Sequence, residues 1–328
     1  MLVLGRDDLR AALAPAELAD VLADAFRAHA DGRTRVPPRT VVPVTADGLL
    51  LLMPAVLGAP GDAGPTLGTK LVTYYATNSA RGQPTLHASY VLMDATTGRP
   101  LALLEGTYLT GLRTGATSAL AARYLARADT RRVACFGAGV QAGFQLRCLA
   151  ATLPLERVTV VGRDPARARA FAAAMGAELG IAVETAADAH RAVADADLVT
   201  CATTSATPVV AGAALRAGTH VDAVGAFRPD TREVDTETVR RARVVVDTYA
   251  GALEEAGDLL IPLAEGAVTR GHVAAELAEL VTGRRAGRTR AEEITLFKSV
   301  GFALEDVAAA RLAYNRARAR SIGTEVPL

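Results

Sequence analysis

Three small residues between positions 137 and 142 are spaced to hold an anion. The stretch VACFGAGVQA (133–142) places Gly137, Gly139 and Ala142 in the pattern G-x-G-x-x-A. An apolar run ends at the first glycine, and a helix is expected to open with Val140 and Gln141. Gly137 permits a tight turn, Gly139 lets the backbone approach a pyrophosphate, and Ala142 lets the helix pack on a sheet. The positive end of the helix draws the phosphates in. The chemistry implied is binding of a dinucleotide, and its type is read at the end of the next strand, VVGRDPARAR (160–169). A site for NAD(H) places Asp or Glu there to take the ribose 2′-hydroxyl. Gly162 stands in that place, followed by Arg163 and then Arg167, which suit a 2′-phosphate. NADP(H) is therefore expected ahead of NAD(H), with NAD(H) as the second choice. Asp164, beside the same site, reads as a helix N-cap with Pro165 at the first helical position.

A second chemical signal is the choice of cation. Of 36 basic residues only Lys70 and Lys298 are lysines. In a chain that uses arginine wherever a positive charge will do, a retained lysine marks a place for a compact, titratable ammonium.

The elements that must position these residues fall into two halves. Residues 7–31 read as one amphipathic helix. Five strands follow, at 39–44, 49–56, 69–76, 86–94 and 101–106, separated by the turn stretches TADG, GAPGDAGPTLG, NSARGQP and ATTGRP. Their spacing predicts a mostly antiparallel meander. An alanine-rich helix is expected over 107–127. From 131 apolar strands alternate with helices, the signature of a parallel sheet covered on both faces. The stretch FALEDVAAARLAYNRARAR (302–320) carries Leu304, Val307, Ala308, Leu312 and Ala313 at helical spacing and is expected to return to the first half. The fold class expected is α/β: a Rossmann-type, doubly wound parallel sheet over 116–302. The second domain, α+β, is built from both chain ends, 1–115 with 303–328. RAGRTR (285–290) reads as a solvated basic loop.

Bulk properties exclude several function classes. The chain has 328 residues, half of them hydrophobic, and a formal net charge of +1, which gives no electrostatic case for nucleic acid or an anionic membrane. No apolar run approaches the roughly 20 residues of a membrane span. The N-terminus turns acidic at once and lacks the basic region of a secretory signal. Cys135, Cys148 and Cys201 sit in apolar surroundings at no metal spacing, and the histidines at 29, 87, 190, 220 and 272 form no ligand pair. Reduced thiols, no metal and a cytoplasmic location are expected.

Several longer stretches narrow the reading: PPRTVVP (37–43), LLMPA (51–55), GTKLVTYYATN (68–78), the run from GQPTLHASY to AARYLA (82–126), GTHVDAVGAFRPDTREVD (218–235) and FKSVGFALEDVAAARLAY (297–314). With FGAGVQA they resemble the ornithine cyclodeaminase and mu-crystallin family over nearly the whole chain. The resemblance implies a substrate and dimerisation domain joined to the dinucleotide domain, and a homodimer. It implies that Arg39, Lys70 and Arg113 grip the substrate, with Thr85 beside them. Two arginines can hold the carboxylate of an amino or imino acid through charge-assisted bonds, and Lys70 can supply charge and a proton. It further implies that Thr114 to Ser118 and Lys298 lie near the nicotinamide. Thr203 and Ser205, after the fourth strand of the second half, are placed to line the cofactor.

The departures from the family carry as much as the matches. Cyclodeaminases carry an aspartate in the turn that here reads AVGAFRPD, where Phe227 stands, and a glutamate at the position of Leu51. A charged distal amine facing two apolar residues would lose its partners at a cost of several kcal/mol. Asp230 and Glu233 are the nearby carboxylates that could compensate. The mu-crystallin branch resembles this chain at that turn, and its members reduce cyclic ketimines. The expected function is NAD(P)H-dependent reduction of small cyclic imino acids, such as Δ1-pyrroline-2-carboxylate or Δ1-piperideine-2-carboxylate, to L-proline or L-pipecolate. Leu51 and Phe227 would wall the apolar ring. The alternatives are a cyclodeaminase or alanine-type dehydrogenase on the same scaffold, and a non-catalytic NADP-dependent binder of a small molecule.

Overall fold

The computed structural model describes residues 1–58 and 64–327; the turn expected over GAPGDAGPTLG lies partly outside them. The chain divides into two compact units, residues 1–113 with 302–328, and 114–301.

The first unit opens with β1 (Leu2–Leu4), α1 (Arg6–Ala12) and α2 (Pro15–Ala30). This corrects the single helix expected over 7–31. Leu13 and Ala14 are extended just before Pro15, since proline disfavours helical backbone in the residue ahead of it and prefers the first helical turn. The strands β2 (Thr34–Arg35), β3 (Thr40–Pro43), β4 (Gly48–Leu57), β5 (Thr66–Tyr75), β6 (Leu86–Asp94) and β7 (Pro100–Glu105) follow, and α3 spans Gly106–Leu125. The sheet includes the five-stranded meander. At one side β1 adds to β7 in parallel, and the terminal strand β16 (Thr324–Glu325) adds to β1. In β4 and β5 Leu51, Met53, Ala55 and Leu57 alternate inward with Gly68, Lys70 and Val72. The long α11 (Ala303–Arg320) packs on β4, β5 and α2, so the C-terminal helix belongs to this unit.

The second unit is a parallel sheet in the order β10-β9-β8-β11-β12-β15-β13-β14. Its elements are β8 (Arg132–Phe136), α4 (Val140–Ala150), β9 (Arg157–Val161), α5 (Pro165–Leu179), β10 (Ala182–Thr185), α6 (Ala189–Asp195), β11 (Leu198–Cys201), β12 (His220–Ala223), α7 (Thr236–Arg241), β13 (Ala242–Val246), α8 (Tyr249–Glu255), α9 (Gly257–Ala264), β14 (Val273–Glu276), α10 (Leu277–Val281) and β15 (Ile294–Lys298). Every residue of β11, β12 and β15 is buried, as a strand covered on both faces requires. Strand order reverses between β8 and β11, and ligands of such sheets bind at the carboxyl ends of the strands where the order reverses. The glycine stretch leaves β8 at that point. The loop 285–290 is more than a solvated stretch. Arg288 is half-buried, and its Nε donates to the Leu125 carbonyl at 2.8 Å and its Nη2 to Thr295 Oγ1 at 3.1 Å. All three cysteines are free and buried.

Candidate active site

The glycine loop has the geometry its spacing predicts. Gly137 has φ +110°, and a Cβ there would stand 2.6 Å from the Ala202 carbonyl oxygen; only glycine tolerates both. Gly139 is the extended N-cap of α4, with no side-chain cap, and a Cβ on it would meet nothing closer than Arg167 Nη2 at 4.0 Å. An uncapped helix end in open space can take phosphate oxygens. Ala142 is fully buried against the sheet, whereas Val140, one residue past the loop, is 69% exposed. Asp164 does cap α5, accepting from the Ala166 and Arg167 amides, with Pro165 behind it. Arg163 is exposed, and Arg167 donates through Nε to the Ala138 carbonyl at 3.2 Å. Arg167 is thus anchored on the glycine loop itself.

Downstream, the loop residues are tied to a buried carboxylate. Glu233 accepts from the Thr203 amide and hydroxyl on one oxygen, and from the Gly225 and Ala226 amides on the other. Its own amide and that of Val234 donate to Asp258 Oδ1. Ser205 donates to the Thr207 carbonyl. Lys298, fully buried, pairs with Asp258 Oδ2 at 2.8 Å and donates to the Ala226 carbonyl at 2.5 Å. The retained lysine therefore braces the turn that carries Phe227. Burial raises the Glu233 carboxyl, yet four donors are already committed to it. Asp230 is exposed and forked onto Arg228. Glu233 therefore supports the turn rather than offering a carboxylate to a substrate, and Asp230 pairs locally. Phe227 is half-buried on the core of this unit. Thr114 opens this unit within α3, and Ser118 further along that helix is fully buried and accepts from Gln145 Nε2 at 3.0 Å. Asp222 next to it is pushed up to about 7 by burial, against hydroxyl bonds from Ser118 and Thr200.

In the first unit Lys70 and Arg113 meet through Asp306, and Arg113 also meets Glu305; neither acid stands out in the sequence. Lys70 Nζ lies 2.8 Å from Asp306 Oδ2, and Arg113 Nε lies 2.9 Å from Asp306 Oδ1. Arg113 Nη1 also pairs with Glu305. All four side chains are at most 5% exposed. Both acids occupy the first turn of α11, where negative charge is favoured by the helix dipole. Lys70 is pushed down to about 8 by burial and by Arg113, while Asp306 holds it up and Arg39 lowers it further. Arg39, half-exposed just ahead of β3, is thus close enough for its charge to act on Lys70. Leu51 pairs with Val72 and Met53 with Lys70, so Leu51 faces the same side one step along the strand. Thr85 lies five residues before Tyr90, the β6 partner of Lys70, about 17 Å along a regular strand. The register does not bring it to the charged group. A buried lysine near neutrality, two arginines and an apolar wall can bind a small carboxylate and move a proton.

Comparison with known proteins follows the same lines. The model of the ornithine cyclodeaminase/mu-crystallin family matches residues 2–321. The chain belongs to this family. Within it, a Δ1-pyrroline-2-carboxylate reductase of Bacillus cereus is 36% identical over 328 residues, covering 99% of each chain. The solved Δ1-pyrroline-2-carboxylate reductase of Thermococcus litoralis, in complex with NADH and L-proline, is 42% identical with a TM-score of 0.95. The match covers 99% of this chain and 100% of that one. An archaeal alanine dehydrogenase dimer with bound NAD is 31% identical with a TM-score of 0.92, covering 100% and 99%. Family members with reductase and dehydrogenase names act on imino and amino acids, and the family includes cyclodeaminases.

Proposed function

We propose that the protein reduces small cyclic imino acids, Δ1-pyrroline-2-carboxylate foremost, to the corresponding L-amino acid with a reduced nicotinamide dinucleotide. The observation that carries this reading is Lys70 bridged to Arg113 by Asp306, with Leu51 on the same face. Such a cation pair suits a carboxylate, and Leu51 stands at the position where a diamino acid would need an acid. The likeness to reductases with that substrate in their names supports it. Arg39 and Arg113 hold the substrate carboxylate, Leu51 and Phe227 wall the ring, and Lys70 supplies the proton. When bound, the dinucleotide supplies the hydride. Gly137, Gly139, Gln141 and Ala142 form its phosphate turn, with Val140 covered by it, and Thr114, Thr203 and Ser205 border it. A panel of cyclic imines, pyruvate with ammonia, and L-ornithine, followed by NAD(P)H oxidation and ammonia release, tests the reading. Turnover confined to the imines supports it; ammonia released from ornithine as the dominant reaction overturns it.

NADP(H) is the proposed cofactor, with NAD(H) second. Gly162 stands where an NAD(H) site would place a carboxylate, and Arg163 and Arg167 follow it. Replacing both by alanine is expected to raise KM for NADPH at least about tenfold, the worth of one or two charge-assisted bonds, and to leave KM for NADH within a few fold. An equal effect on both cofactors would count against a 2′-phosphate site. The assembly proposed is a cytoplasmic homodimer. The outer face of the first sheet presents Val42, Leu50, Leu52, Leu71, Val91 and Met93 at least partly exposed, a contiguous apolar face that a second copy can cover. Among the described residues no helix is long and apolar enough to cross a membrane.

A further inference from the structure

Asp306 makes one bond with each of its oxygens, to two cations that approach from different elements. Lys70 comes from β5 and Arg113 from α3, at 2.8 and 2.9 Å. A carboxylate with no exposed surface that ties two buried cations fixes their separation, because neither can move without leaving a buried charge unpaired. The groups facing Lys70 are Arg113 from α3, Arg39 ahead of β3, Tyr90 across the β5–β6 register and Asp306 from α11. Burial and Asp306 raise the Tyr90 phenol well above its ordinary value, so it stays neutral. Burial, Arg113 and Arg39 all act to strip the proton from Lys70, and Asp306 acts to keep it there. Glu305 pairs with Arg113.

We infer that Asp306 is a positioning residue for the reductive step: it sets the spacing of Lys70 and Arg113 and keeps the proton on Lys70 until the imine nitrogen takes it. The chemistry rests on the reductase reading; the geometry does not. A hydride from the reduced nicotinamide forms the new C–H bond at the imine carbon while the C=N π pair moves to nitrogen. The nitrogen takes a proton from Lys70 Nζ, the cofactor leaves oxidised, and the neutral Lys70 amine regains a proton from water. One hydride and one proton convert the imine to the amine.

Two lysines in 328 residues make this directly measurable. In protein labelled with [13Cε]lysine two side-chain signals are expected, and Lys70→Met assigns one by deleting it. Lys70 is expected to titrate near pH 8 in the parent protein. In Asp306→Asn its midpoint falls by at least about one unit, a tenfold smaller ammonium fraction at pH 8. Glu305→Gln, which alters Arg113 alone, shifts it less. The basic limb of kcat/KM for the cyclic imine moves down with the NMR midpoint in Asp306→Asn, and kcat falls more than KM rises. Asp306→Glu, which keeps the charge, retains a midpoint close to the parent's and serves as the test if the asparagine variant does not fold. An unmoved Lys70 midpoint in Asp306→Asn, an equal shift in Glu305→Gln, or an Asp306→Glu midpoint displaced by a unit or more overturns the inference. A parent enzyme inert toward cyclic imines overturns the reductase reading alone, because the titration needs no turnover.

Discussion

Lys70→Met is expected to lower kcat/KM for Δ1-pyrroline-2-carboxylate on the order of 10³-fold, the range of a lost general acid, with cofactor affinity unchanged. Methionine matches the length of the lysine stem and removes the ammonium. The variant therefore loses the second cation on Asp306 and the proton for the imine nitrogen. It also leaves Asp306 Oδ2 facing no cation in a site with almost no solvent. A buried carboxylate that loses one of two partners destabilises the first unit, so a lower melting temperature is expected together with the activity loss. Lys70→Arg separates the two effects. It keeps a charge on Asp306 but cannot give up a proton at neutral pH. KM should stay within a few fold of the parent while kcat falls at least about a hundredfold. Lys70 carries its charge below its folded value of about 8, so turnover by the parent should decline as pH rises through that value. Full activity of Lys70→Arg on every imino acid would show that the residue serves only as a charge.

Lys298→Met is expected to act on stability rather than on cofactor affinity. The ammonium is fully buried, paired with Asp258 and bonded to the Ala226 carbonyl. Asp258 in turn receives the Glu233 and Val234 amides, and Glu233 receives those of Thr203, Gly225 and Ala226. Removing the cation leaves the Asp258 charge without its counter-ion in a network that anchors the whole 225–234 turn. Breaking a buried pair in this way costs about 3–5 kcal/mol, or roughly 6–20 °C in melting temperature for a unit of this size. The measurement is a thermal melt beside a cofactor titration. A variant that melts like the parent but binds NAD(P)H many times more weakly would return Lys298 to the nicotinamide contact that the family resemblance implies.

Much of this architecture was legible in the residue pattern, and the exceptions have physical causes. The parallel sheet was readable because its strands are short apolar runs bounded by helix starts, and Gly137 because φ above zero and a neighbouring carbonyl leave no room for a side chain. Strand β1 was lost because three residues ahead of a helix carry no period. The break between α1 and α2 was lost because the apolar stripe continues across it, although Pro15 marks it. Lys70 stood out through the scarcity of lysine. Glu305 and Asp306 did not, because paired acids in the first turn of a helix ordinarily cap it in solvent. The available signal was their setting: FALEDVAAA offers the helix no polar face, so its acids must be buried and must have partners. Two buried cations with no acid assigned to them posed the same demand from the other side. Lys298 carries two readings in the sequence, since a lone retained lysine can be kept for a buried pair as readily as for a ligand.

The most direct test of the central claim is the fate of the hydride. Purified protein is incubated with Δ1-pyrroline-2-carboxylate and NAD(P)H deuterated at the transferring C4 position, and the product is examined by NMR and mass spectrometry. The expected product is L-proline carrying one deuterium at Cα, formed in step with cofactor oxidation and without ammonia release. Unlabelled proline, or no cofactor oxidation with the imine while L-ornithine yields ammonia and proline, would contradict it.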